Sequence, residues 1–193
     1  MSNLIIVGGG SSIRSFPNLW IDLKGKDVMS VNYAYRFLKE PPKYQISMDK
    51  KFWKGNYVDM ERLADAGCTI INRNNEMVIT REFRSDAFFC GQRRLSGIFA
   101  ISYATKRLID YRRIFLLGYD FGPIDGRTHF YDGINHSGVD KIRAYLDMQG
   151  NVLPALRDFD YFDKFDISIV GQSHIKSFPI ITYGEFLHHL EVK

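Results

Sequence analysis

A short apolar run near the middle of the chain limits the possible folds more than any other feature. Residues 114–117 read Ile-Phe-Leu-Leu and end at Gly118, and apolar positions recur before them at helical spacing, at Ile98, Ile101 and Leu108. The pattern predicts a helix that leads into a strand that is apolar on both faces. Because such a strand needs helices on both sides of its sheet, we expect an α/β protein with a mostly parallel sheet.

Other strand-like and helix-like segments alternate along the chain. We expect further strands at 4–7, 27–31, 44–48, 69–72 and 167–170, and helices at 56–66, 139–146, 152–162 and 183–190. This alternation favours a Rossmann-like sheet, and 193 residues fit a single domain over 1–193. Residues 73–94 fit neither pattern except for a short strand at 77–79, so they are interpreted either as a flap over a site or as an irregular connection.

The composition excludes several classes of protein. A hydrophobic fraction of 45% and an aromatic fraction of 15% exclude disorder. No apolar run approaches the roughly 20 residues that cross a bilayer, and no export signal is evident. The two cysteines, Cys68 and Cys90, suit a reducing compartment and are interpreted as buried small residues rather than catalytic thiols. We therefore expect a cytoplasmic protein with no transmembrane segment.

The net charge of +4 is moderately basic. Acidic residues are interspersed among the basic ones, which argues against a dedicated DNA or RNA surface. Aromatic residues within 159–165 leave room for a homo-oligomer. The pair His188-His189 falls on the terminal helix and is interpreted as solvated rather than metal-binding.

Polar and aromatic side chains crowd into the segment directly after the central strand. They are Asp120, Arg127, His129, Tyr131, Asp132, Asn135 and His136. Because ligands of open α/β sheets bind beyond the carboxyl ends of the strands, we expect the active site here. An imidazole near pH 7 is largely neutral and can accept a proton, so His136 is the candidate general base. Arg127 and His129 are candidates to stabilise a leaving phosphate.

The turn after the first strand is rich in glycine and serine. Gly8, Gly9 and Gly10 are followed by Ser11 and Ser12, so that amide groups and hydroxyls are available to bind anionic oxygens. The spacing matches neither G-x-G-x-x-G nor a Walker A loop. We expect a nucleotide here, although the three glycines are also compatible with a tight turn alone.

Polar residues also follow the next strands. Asn32 falls at the end of the second strand, where its amide can bind a base or a ribose as donor and acceptor. Asp49, after the third strand, is compatible equally with a ribose or metal contact and with a helix cap. Asp120 is a candidate nucleotide-binding residue, and its carboxylate is interpreted as fixing the loop through backbone N–H bonds rather than as taking part in chemistry.

Several short motifs recur together in a known order. They are Gly8-x-Gly10-x-Ser12, Val31-Asn32, Ser96-Gly97, residues 115–121 (FLLGYDF) and Asn135-His136-Ser137. In this succession they resemble the bacterial sialyltransferases of glycosyltransferase family 42. The strand-one, Ser-Gly and Gly-x-Asp features are also similar to the superfamily that includes the archaeal 6-hydroxymethyl-dihydropterin diphosphokinases.

The resemblance implies a metal-independent, Rossmann-like transferase that uses a cytidine nucleotide-sugar donor and a glycan or other small-molecule acceptor, with no cofactor. It implies that Gly10, Ser12 and Asn32 contact the nucleotide and that Ser96-Gly97 approaches its phosphate or base. It also implies that His136 acts as general base. In that family a tyrosine follows the Asp-Phe pair, whereas this chain has Gly122 there.

Two other functions remain open at this point. If Asp49, Asp120 or Asp132 holds Mg²⁺ against a triphosphate, the chain is a diphosphokinase or a nucleotide hydrolase. A non-catalytic nucleotide-binding module is the third interpretation.

Overall fold

The protein folds around one parallel sheet. The computed structural model describes residues 2–72, 96–122, 124 and 164–191. In these residues the strands are β1 (Ser2–Val7), β2 (Val28–Val31), β3 (Tyr44–Ser47), β4 (Thr69–Asn72), β5 (Tyr111–Leu117), β6 (Asp166–Val170) and β7 (Ile180–Ile181). Their order is β4-β3-β2-β1-β5-β6-β7, and every neighbouring pair is parallel. The predicted α/β, Rossmann-like sheet is confirmed.

The helices connect these strands. In the described residues they are α1 (Leu19–Asp22), α2 (Lys50–Gly55), α3 (Tyr57–Asp65), α4 (Ser96–Arg107) and α5 (Tyr183–Glu191), with 3-10 helices at Ser11–Ser15 and Asn32–Phe37. The six strand predictions are confirmed, with starts or ends that differ by up to three residues. β7 was not predicted. The segment 73–94 and the helices expected at 139–146 and 152–162 lie outside the described residues.

The central strands are buried on both faces, as their apolar runs indicate. Leu4 and Ile6 of β1 pack in a cluster with α4, whereas Ile5 and Val7 pack in a second cluster with side chains of α1 and α5. Since successive side chains of a strand point to opposite faces, both faces of the sheet need a cover of helices. The described helices provide it on both sides.

Two further expectations concern the class of protein. None of the helices in the described parts of the chain is long and apolar enough to cross a membrane. Cys68 is buried, and burial raises the pKa of its thiol to about 12. The thiol is therefore protonated at neutral pH, which fits a packing role and not a nucleophile. Cys90 lies outside the described residues.

Candidate functional site

The strand order creates a crevice between β1 and β5. The chain adds β2, β3 and β4 on one side of β1 and then returns to place β5 on its other side. In open α/β sheets this reversal separates the loops that follow the two strands, and ligands bind beyond their carboxyl ends. The glycine-serine turn follows β1 and the Gly-Tyr-Asp segment follows β5. The two stretches that the sequence singles out therefore flank the crevice.

Two of the three glycines in the turn are required by packing. The Gly8 amide donates to the Leu117 carbonyl at 2.7 Å, and the Gly10 amide donates to the Gly118 carbonyl at 2.8 Å. A Cβ on Gly10 would lie 2.5 Å from both the Gly118 oxygen and the Asp120 carboxyl carbon, and one on Gly8 would lie 2.7 Å from the Gly118 oxygen. Close approach of the two turns thus excludes larger residues at both positions. Gly9, between them, is half-buried.

The Asp120 carboxylate occupies the anion-binding groups of the turn. Asp120 is 2% exposed. The Ser12 amide donates to its Oδ2 at 2.9 Å, and the Ser12 hydroxyl donates to its Oδ1. The Ser11 hydroxyl lies 3.4 Å from Oδ2 and 3.1 Å from the Ile124 carbonyl oxygen. The amide and the hydroxyl of Ser12 thus both bind Asp120 in this structure, and the expected contact of Ser12 with a nucleotide stays a prediction.

The position of Asp120 also changes its own chemistry. Burial raises the pKa of its carboxyl group above the ordinary value, while hydrogen bonds from Ser12 and Ser11 oppose that rise. The loop-fixing role is confirmed, because the carboxylate joins turns that are more than 100 residues apart in the chain.

Asn32 has two unusual features at the end of β2, beside β1. Its φ of 53° places a non-glycine residue in the left-handed region. Its side-chain Oδ1 is buried and has no hydrogen-bond partner in the described structure, although the Gln45 side chain donates to its backbone carbonyl at 3.0 Å. A strained backbone and an unpaired buried acceptor both cost free energy, and such features cluster at ligand sites.

The start of α4 reaches the same edge of the sheet. Ser96 is the first residue of the helix, and its hydroxyl accepts a hydrogen bond from the Met48 amide at 3.0 Å. The Tyr119 hydroxyl donates to the Gly97 carbonyl at 3.1 Å, and a Cβ on Gly97 would lie 3.2 Å from the Tyr119 ring. Gly97 therefore allows the close approach of a neighbouring element. The predicted contact of this pair with a phosphate or base stays a prediction.

The loop after β6 also contributes to the site, and sequence reasoning missed it. The Ser173 hydroxyl donates to the Tyr119 carbonyl at 2.9 Å, and the His174 amide donates to the Asp120 carbonyl at 2.8 Å. A Cβ on Gly122 would lie 2.5 Å from Cδ2 of the His174 ring. The available signal was positional: these residues follow a predicted strand, whose carboxyl end meets the same edge of the sheet.

Asp49 caps the helix that follows β3. Its carboxylate accepts a hydrogen bond from the Lys51 amide at 2.8 Å and so caps α2. Of its two interpretations, the helix cap is confirmed. In the residues that the structure describes, no group of three histidine, cysteine, aspartate or glutamate residues is placed to hold a metal ion.

The predicted catalytic residues Arg127, His129 and His136 lie outside the described residues, as does Asp132. The segment that carries them follows Ile124, the last described residue before it. The Ile124 carbonyl lies 3.1 Å from the Ser11 hydroxyl. The last described residue before this segment therefore lies beside the glycine-serine turn.

Comparisons with protein-family models, with curated proteins and with solved structures gave no significant match. The functional argument consequently depends on the geometry of this site.

Proposed function

We propose that this protein is a nucleotide-dependent group transferase whose donor binds in the crevice between the carboxyl ends of β1 and β5. The observation that carries the proposal is Asn32, which stands beside this crevice with a left-handed backbone and a buried, unpaired side-chain oxygen. Asparagine tolerates the left-handed region better than most residues, so the larger cost is that of the buried, unpaired acceptor, about 1–3 kcal/mol. Such features persist where the surrounding structure enforces them, often at a ligand site.

The place of Asn32 suits a nucleotide. In doubly wound dinucleotide-binding sheets the phosphates lie near the turn after β1, and an aspartate or glutamate about 20 positions further on accepts hydrogen bonds from the ribose. Asn32 has this relation to the glycine-serine turn. Its Oδ1 accepts hydrogen bonds, so it would pair with a ribose hydroxyl or with the amino group of a base such as cytosine.

The position of Asp120 restricts where the phosphate sits. Its carboxylate already binds the Ser12 amide and hydroxyl, and a second anion at the same groups would be repelled. We therefore expect the phosphate further out, beside Gly9, with Ser12 holding the turn in shape. A phosphate near a buried aspartate also needs a positive or hydrogen-bonding partner, a role that suits Arg127 and His129.

Glycosyl transfer from a nucleotide sugar is the reaction we favour. It follows from the resemblance to family 42, with His136 as the base that accepts the proton of the acceptor hydroxyl. Phosphoryl transfer with Mg²⁺ is the second candidate, although the Asp49 carboxylate caps a helix and the Asp120 carboxylate binds serines. A non-catalytic nucleotide-binding module is the third.

The test is a calorimetric titration with CMP, CDP, UDP, GDP, ADP and ATP, each in EDTA and in Mg²⁺. We expect CMP or CDP to bind in EDTA. Asn32→Gly should weaken that binding about tenfold, which corresponds to one hydrogen bond of roughly 1.4 kcal/mol. Asn18→Gly is the matched control, since Asn18 is an exposed cap position without a side-chain capping bond.

The outcomes separate the three candidates. Binding of ATP or ADP only with Mg²⁺ would favour phosphoryl transfer, and no binding to any nucleotide would refute the proposal. If CMP or CDP binds, turnover of the corresponding nucleotide sugars by wild type and by His136→Ala then separates a transferase from a binding module. Loss of transfer with retained nucleotide binding is the result expected for a general base.

A further inference from the structure

The loop after β6 is built onto the loop after β5 at the candidate site. The Ser173 hydroxyl donates to the Tyr119 carbonyl at 2.9 Å and accepts a hydrogen bond from the Ile175 amide at 3.3 Å. The His174 amide donates to the Asp120 carbonyl at 2.8 Å. Ile175 is 3% exposed and anchors the loop in the core. The backbone of His174 is therefore fixed on both sides, directly beside Asp120.

The imidazole ring of His174 lies close to the backbone of the loop after β5. A Cβ on Gly122 would stand 2.5 Å from Cδ2 and 3.0 Å from Cγ of His174, so a larger residue at Gly122 would displace the ring. Phe121, the preceding residue, has a φ of 53°, which is strained for a residue that is not glycine. The His174 ring therefore lies next to a backbone segment with an unusual conformation.

The ring itself is not part of the core. His174 is exposed, although its backbone is held by Asp120 and its neighbour Ile175 is buried. A rigid support beneath an exposed polar side chain is the arrangement that precise ligand binding needs. An imidazole donates N–H hydrogen bonds and is cationic when protonated, so a phosphate oxygen is a suitable ligand.

We propose that His174 contacts a phosphate group of the bound nucleotide and completes the site from the β6 side of the crevice. This inference rests on the proposed nucleotide-binding function. The His174 ring would supply a hydrogen-bond donor next to Asp120, whose anionic carboxylate would otherwise disfavour a phosphate.

The test compares CMP with cytidine, which lacks the phosphate, by titration calorimetry of the full chain. We expect His174→Gln to lower the affinity for CMP at least tenfold and to leave the affinity for cytidine unchanged. Gly122→Ala, which displaces the ring without removing it, should have the same selective effect. His188→Gln is the matched control, because His188 is an exposed histidine on α5 and lies outside the candidate site.

Failure of this inference can be told apart from failure of the proposed function. If wild type binds CMP and His174→Gln binds it equally well, His174 is not a phosphate ligand, while the nucleotide site stands. An equal loss of affinity for CMP and for cytidine would also overturn the inference, since it would indicate that His174 has a structural role. If wild type binds no nucleotide, both proposals fall.

Discussion

At the scale of single residues, backbone strain marks the carboxyl edge of the sheet. In the described parts of the chain the non-glycine residues with positive φ are Asn32 and Phe121, both at 53°. One follows β2 and the other belongs to the loop after β5, so both lie where the strands end. Strain that is confined to one edge of a sheet favours a functional site there rather than a general irregularity of the fold.

Gly10→Ala tests the contact between the two turns. The new methyl carbon would stand 2.5 Å from the Gly118 oxygen and from Asp120. Because backbone and a buried side chain cannot easily move away, we expect a loss of roughly 1–3 kcal/mol in the free energy of unfolding, measured in urea. Gly55→Ala is the control: nothing lies within 4 Å of the new atom, so stability should be unchanged or slightly higher. Equal stability of Gly10→Ala and wild type would contradict the packing described here.

Asp120 should give the protein a measurable pH dependence. Burial raises the pKa of its carboxyl group in the folded chain, so the folded state binds a proton more readily than the unfolded state does. The corresponding stabilisation is complete below the unfolded pKa, near pH 4, and is lost as pH rises through the folded pKa. Relative to Asp120→Asn, wild type should therefore lose stability from about pH 4 upward. The measurement is the free energy of unfolding of both proteins in urea across this pH range. An increase with pH in the stability of wild type relative to Asp120→Asn would contradict this account.

At the scale of elements, periodicity and capping patterns were sufficient for most of the described structure. The continuous apolar runs predicted a parallel sheet because they indicate strands that are buried on both faces. In β1, Leu4 and Ile6 pack on one face of the sheet, and Ile5 and Val7 pack on the other. The helix expected at 183–190 is α5, and Thr182 and Glu185 cap its start through two reciprocal hydrogen bonds. β7 escaped prediction because a strand of two residues, Ile180–Ile181, has no periodicity to detect.

Thr182→Ala should weaken α5. The Thr182 hydroxyl accepts a hydrogen bond from the Glu185 amide at 3.2 Å, and the Glu185 carboxylate accepts from the Thr182 amide at 2.7 Å. Loss of such a cap typically costs about 1 kcal/mol, which thermal or urea unfolding resolves. Ser177→Ala, an exposed position before the same helix, should change stability by less than about 0.5 kcal/mol. A Thr182→Ala protein no less stable than this control would show that the capping box contributes nothing.

At the scale of the whole molecule, topology brings together what the sequence keeps apart. The sequence placed Asn32 and the turns after β1 and β5 at strand ends, and parallel strands put those ends at one edge. It did not predict that Asp120 would bind Ser12, because a contact across more than 100 residues depends on which strands become neighbours. His174 was missed for the same reason: its relevance appears only when β6 lies next to β5.

The central claim is that a nucleotide binds at the carboxyl edge of the sheet, between β1 and β5. The most direct measurement is a map of backbone amide chemical shifts in ¹⁵N-labelled protein during titration with CMP. We expect saturable changes in residues 8–12, 32–33, 118–122 and 172–174, with little change at the amino edge, for example at Asn3 and Arg113. Saturable changes confined to the amino edge, or no changes at all, would contradict the account.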